Sequence, residues 1–160
     1  MADLFFQGFV ASTGIAGILV AIVLFYGARS DIRIRKFPKA YWDHSRKFIA
    51  IPTLATYACI ALAQQWSLLI QILAFSLLAS VILYVLSIRV GFGGDCRALI
   101  HIALLVPAIT ILAIALSCVF GCIQIQIGKI RNDTRPAPLA VSIFCGFLAA
   151  FLLQMWLWLG

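Results

Sequence analysis

The sequence predicts an all-α, polytopic membrane protein: six transmembrane helices with a short fourth helix, both termini extracytoplasmic. Three observations carry this. First, 64% of the 160 residues are hydrophobic and only 11% are charged, with a mean hydropathy of +1.11. A soluble domain of this length cannot hide so much apolar surface, so lipid is the expected solvent. Second, the apolar runs are continuous and not alternating, which favours helices over a barrel. Third, the twelve Lys and Arg fall in a few short stretches, as expected of cytoplasmic loops. The chain reads as one membrane-embedded domain, 1–160, without internal repeats or a soluble linker.

The first helix is predicted from about Phe9 to Tyr26. The opening Met1-Ala2-Asp3-Leu4 lacks the basic stretch of a cleaved signal peptide, so this helix is expected to be retained. A charged segment follows, with Arg29, Arg33, Arg35, Lys36, Lys39, Arg46 and Lys47 beside Asp31 and Asp43. Phe37-Pro38 breaks any helix continuing from the membrane. The second helix is predicted from Phe48 to Ala63, with Pro52 tolerated in its first turns. Gln64-Gln65-Trp66-Ser67 reads as a polar turn with an interfacial Trp, and the third helix runs from Leu68 to Ile88.

Next comes Arg89-Val90-Gly91-Phe92-Gly93-Gly94-Asp95-Cys96-Arg97, a Gly-rich break between apolar segments. Beyond it the chain is apolar to about Ile127. A single crossing there would put Lys129, Arg131 and Arg135 opposite the first charged loop. Two crossings, turning near Pro107, put all twelve basic residues on one side. Two crossings are therefore expected, the first a short fourth helix from Cys96 to Val106 that reaches only part way across. The last helix runs from Leu139 to Leu159, with Trp156 and Trp158 as interfacial anchors.

The net charge of +7 reports topology in this setting and not nucleic-acid binding, for which no aromatic-basic motif exists. The five cysteines form no CxxC pair. Cys118 and Cys122 could share a helix face, but packing is the expected role of all five, and no metal or other cofactor is expected.

Acid chemistry has five candidates: Asp3, Asp31, Asp43, Asp95 and Asp133. Asp3 is expected on the outer side. Asp43 and Asp133 lie in polar loops, where a solvated carboxylate needs no explanation. Asp31, one turn beyond the first helix, and Asp95, opening the fourth, fall at the same depth. An ionisable residue at the edge of apolar segments is costly and usually functional. Two carboxyls at a low-dielectric boundary share a proton, so one can take a proton from water while the other donates to a carbonyl oxygen. The start of the fourth helix would favour Asp95 as the ionised partner. Simpler readings stand beside this. Asp95 could be a helix N-cap, Asp31 a solvated charge among Arg29, Arg33 and Arg35, or both could serve a small ion-coupled transporter or channel. Gly91, Gly93 and Gly94 would shape a loop around a substrate backbone. Arg97 could tune Asp95 or orient substrate. His101, six residues from Asp95, reads as a packing residue and His44 as solvated.

Three stretches resemble the prepilin and preflagellin peptidases, aspartic peptidases of the Gly-x-Gly-Asp type. They are Ser30-Asp31-Ile32-Arg33-Ile34-Arg35-Lys36-Phe37-Pro38, then Gly91-Phe92-Gly93-Gly94-Asp95-Cys96-Arg97-Ala98-Leu99 with Ala103-Leu104-Leu105-Val106-Pro107, and Arg135-Pro136-Ala137-Pro138-Leu139. The likeness covers essentially the whole chain. Departures are Phe92, where the strict pattern has Gly, Lys39 for the usual Asn, and Arg97 for the usual Lys. The paired CxxC motifs of the methylating bacterial members are absent. The resemblance implies Asp31 and Asp95 as the catalytic pair and no cofactor. It implies a pilin-like or archaellin precursor as partner, cut at the cytoplasmic membrane face without N-methylation. Because the two Asp lie on separate elements, the unliganded chain is expected to hold their carboxyls too far apart to share a proton.

Overall fold

Residues 2–34, 39–90, 93–131 and 139–159 are described by a computed structural model, and everything described is helix or tight turn. The helices are α1 (Ala2–Ile34), α2 (Lys39–Leu62), α3 (Trp66–Val90), α4 (Gly93–Leu105), α5 (Thr110–Ile130) and α6 (Leu139–Leu159), with a 3-10 turn, Pro107–Ile109, between α4 and α5. Four helices are long and apolar enough to cross a membrane: α1, α3, α5 and α6. The other two fall short for different reasons. α2 spends its first turns on the charged run to Lys47, and its apolar part measures roughly 22 Å. α4 has only 13 residues, about 20 Å at the α-helical rise, against a hydrocarbon core of about 30 Å.

Helix boundaries differ from expectation where polar residues meet the membrane edge. α1 runs on to Ile34, so Asp31 is on the helix and not one turn beyond it. α2 starts at Lys39 and takes in the charged segment expected as loop. Hydropathy marks where lipid ends; a helix ends only where its backbone hydrogen bonds do, and Pro38 lies just outside α2. The short α4 and the exact span of α6 agree with expectation.

α1 and α6 pack antiparallel along their whole length. Phe25 meets Phe144 with ring centroids 5.8 Å apart, the Phe151 ring covers Gly17, Met155 covers Gly14, and Phe9 meets Trp158 at 5.1 Å. α2 also packs on α1, joined by hydroxyls: Thr56 Oγ1 lies 3.0 Å from Ser12 Oγ and 3.5 Å from Thr13 Oγ1. The core combines Val20 and Leu24 of α1, Ile49 of α2, Ala98 and Ile102 of α4, Ala113 of α5, and Ile143 and Phe147 of α6. α3 packs mainly on α4, and α5 on α6. The outer faces of α3 and α5 are apolar and exposed, as at Leu77, Leu78, Ile111 and Val119, which is the surface lipid would cover.

The α4–α5 turn is inside the protein: Val106 and Ile109 are each 1% exposed. The carbonyls that α4 leaves unpaired at its end would be costly there without water. For Leu105 a hydroxyl answers. Thr53 Oγ1 of α2 lies 2.7 Å from Leu105 O, while also 2.9 Å from Ile49 O on its own helix. Thr110 Oγ1 adds to carbonyls that already accept a backbone N–H, 3.1 Å from Val106 O and 3.4 Å from Ile102 O. Thr53→Val keeps the shape and removes the donor. It is expected to cost about 1 kcal/mol, measured as a lowered midpoint for unfolding in mixed detergent, in line with interhelical hydrogen bonds in membranes.

Candidate active site

The site is built at the end of the bundle where α1 finishes. Asp31 occupies the last turn of α1, yet it is only 9% exposed. Arg29, Ile32 and Arg33 turn outward on the same turn and are exposed, so Asp31 is not a solvated charge among arginines. Gly27 and Ala28, one turn earlier, are buried, and such small side chains let α6 approach. The Ala140 backbone N–H donates to Asp31 Oδ2 at 3.3 Å, and Ala140 is itself 0% exposed.

That hydrogen bond gives the buried carboxyl a partner. Ala140 is the second residue of α6, where the N–H has no partner within the helix. A side-chain oxygen just before the helix usually accepts from it. The residues before α6 are Pro136, Ala137 and Pro138, which carry no side-chain acceptor. Asp31 therefore caps α6 from another helix, with its carboxyl oxygen at the helix's positive end. This role was missed from the sequence, although a proline-rich helix entry without Ser, Thr, Asp or Asn beside it does signal that a cap must come from elsewhere.

Asp95 lies in the first turn of α4. Gly91 and Phe92 fall outside the described residues, and for Gly93, Gly94, Asp95 and Arg97 only the backbone is described. The expected separation of the two carboxyls thus lies outside what is described. The placement of the helices is informative all the same. The turn from α2 into α3 sits at the Phe5–Phe9 end of α1, where these segments line one cleft. α3 has 25 residues, about 37 Å, and returns the chain to the Asp31 end before α4 begins. Ile102 of α4 and Leu24 of α1, seven residues along the chain from positions 95 and 31, are fully buried in the same core cluster. Both aspartate positions therefore share one end of the bundle.

The remaining candidates separate from this site. Asp43 is half-buried on α2, not in a loop, and His44 is exposed beside it. Asp133 is outside the described residues, as is the Asp3 side chain. His101 is half-buried on α4. Cys118 and Cys122 are exposed, contrary to the expected packing, because α5 turns that face away from α6, while Cys59 and Cys145 are half-buried. Among the described residues, no cluster of three or more His, Cys, Asp or Glu could hold a metal ion. No family model, curated protein or solved structure matches this chain.

Proposed function

We propose that this chain is a membrane aspartic endopeptidase. Its substrate would be a pilin-like or archaellin precursor, whose short basic leader it removes at the cytoplasmic face of the cell membrane. The observation that carries the reading is the burial of Asp31 at one end of the bundle, with the first turn of α4, bearing Asp95, brought to that same end. The resemblance of the segments around both residues to the prepilin and preflagellin peptidases supplies the chemistry. The pair shares one proton. The ionised carboxylate takes a proton from water as it attacks the scissile carbonyl, and the protonated one donates to the carbonyl oxygen. Gly91, Gly93 and Gly94 give the substrate strand room to approach, and Arg97 positions it.

The topology that suits this role has six crossings, with α2 and α4 as the two incomplete ones. Both termini then lie outside, and all twelve Lys and Arg lie on the side of the aspartates. A cytoplasmic site matches a leader rich in basic residues, which does not cross readily.

The test is cleavage by the purified chain in lipid, with a precursor that carries a basic leader before an apolar helix. Asp95→Asn is expected to lower the rate about 10³-fold, within the range for loss of a general acid or base. Cleavage by that variant at the unsubstituted rate would sink the proposal.

A further inference from the structure

At the end of the bundle opposite Asp31, a cleft of about 510 Å³ opens between the start of α1, the end of α2 and the start of α3. Its walls are Phe5, Phe6 and Phe9 on one side and Cys59, Ile60 and Leu68 on the other, with Gln64 and Gln65 at the connecting turn. That size and an apolar lining with a few polar groups are those of a small-ligand site.

The turn at its rim has an unexpected residue. α2 ends in a Schellman arrangement: the Gln64 N–H donates to Ala61 O at 2.9 Å, and the Gln65 N–H to Ile60 O at 3.2 Å. This motif needs a left-handed residue at the position of Gln64, which is normally Gly or Asn. Gln64 takes it at φ 57°, the one non-glycine residue with positive φ among those described. A long amide is held in a disfavoured conformation at the mouth of a cavity, and such outliers gather at binding sites.

We infer that this cleft is a lipid site that takes one acyl chain of a membrane phospholipid, with the ester region of that lipid at the Gln64 and Gln65 amides. Trp66 follows directly, is 58% exposed, and sets the turn at the depth of the membrane–water interface. Ester groups sit at that depth and acyl chains below it, where Phe9 and Cys59 line the floor. Primary amides donate to ester carbonyls and accept from hydroxyls. No Lys or Arg is among the described lining residues, so the cleft is not made for a phosphate. The inference is independent of the catalytic reading, since the cleft and Asp31 are roughly 37 Å apart along α1.

The test uses the full chain in phosphatidylcholine vesicles containing a phosphatidylcholine with a diazirine in one acyl chain. After illumination, adducts are mapped by mass spectrometry. Adducts on 5–9 and 59–68 are expected to exceed those on the equally lipid-facing stretch 77–82 of α3. Gln64→Gly suits the left-handed position, so it keeps the turn while deleting the amide. It is expected to reduce cleft adducts roughly fivefold, the factor for one lost net hydrogen bond, without lowering the thermal midpoint. Adducts spread evenly over the cleft and α3, or a cleft signal unchanged in Gln64→Gly, would overturn the inference. So would cross-links through the cleft between two copies of the chain.

Discussion

Replacing Asp31 by Asn is expected to abolish precursor cleavage while leaving the fold nearly as stable. Replacing it by Ala is expected to abolish cleavage and destabilise the chain as well. The two variants separate the two jobs that this residue is assigned. Asn keeps an oxygen for the Ala140 N–H, and Asn is as good a helix cap as Asp. What Asn cannot do is carry the shared proton. Ala leaves the N–H of a fully buried residue without its acceptor. An orphaned buried donor costs about 1–3 kcal/mol, and the lost interaction of the carboxylate with the helix end adds to it. The unfolding midpoint in detergent should therefore fall by the equivalent of about 2–3 kcal/mol for Asp31→Ala and by less than about 1 kcal/mol for Asp31→Asn. Cleavage should fall about 10³-fold in both. If Asp31→Asn were as stable as the parent and fully active, Asp31 would be a cap and nothing more.

This double assignment bears on how the site would work. The carboxylate of Asp31 is held by the start of α6, a helix that packs along the whole of α1. Its position is set by the packing of α1 on α6. Asp95, by contrast, opens a helix only 13 residues long that follows a Gly-rich connection. If one of the two moves when substrate binds, the second is the better placed to do so.

The parts of this architecture that were legible in the sequence are those written in side-chain chemistry. The long apolar helices and the start of α6 at Leu139 follow directly from hydropathy and proline placement. Charge arithmetic called for a break near Pro107 after a short helix, and the chain has both in α4 and the turn Pro107–Ile109. The ends of α1 and α2 were misjudged for a physical reason: polar residues leaving a membrane can stay helical, since water or side chains still satisfy the backbone. The cap on α6 was invisible for another reason. Its donor and acceptor are 109 residues apart, and nothing local at Asp31 announces it. The same holds for Thr53, whose value lies in a carbonyl on α4 that no spacing within α2 reveals.

Gly146→Ala is expected to be the most disruptive methyl that can be added to the α5–α6 pair. A Cβ at Gly146 would fall inside contact distance of the Ser117 backbone nitrogen and Cα, and of Ser117 Oγ. Backbone on a packed helix cannot step aside as a flexible side chain can. Ser117 is also committed: its hydroxyl donates to Ala113 O at 2.6 Å and stands 3.5 Å from Ile143 O. One turn away, the Ser142 hydroxyl donates to Gln124 Oε1, a second polar tie between the two helices. Relieving the overlap would pull the helices apart at both ties, so the loss should reach about 3 kcal/mol, the upper part of the range for overpacking. Gly128→Ala is the matched control, because a Cβ there meets nothing within 4 Å. Away from tertiary clashes, Ala is the better helix former by about 1 kcal/mol, so this variant should be neutral or slightly stabilised. Unfolding midpoints for the two, measured in the same mixed detergent series, should move in opposite directions or differ by at least about 2 kcal/mol. Because α6 also carries the N–H that holds Asp31, Gly146→Ala should slow cleavage too, although it lies about 9 Å further along the helix than Ala140. A Gly146→Ala chain as stable as Gly128→Ala would mean that α5 and α6 do not approach as closely as the packing of Ser117 requires.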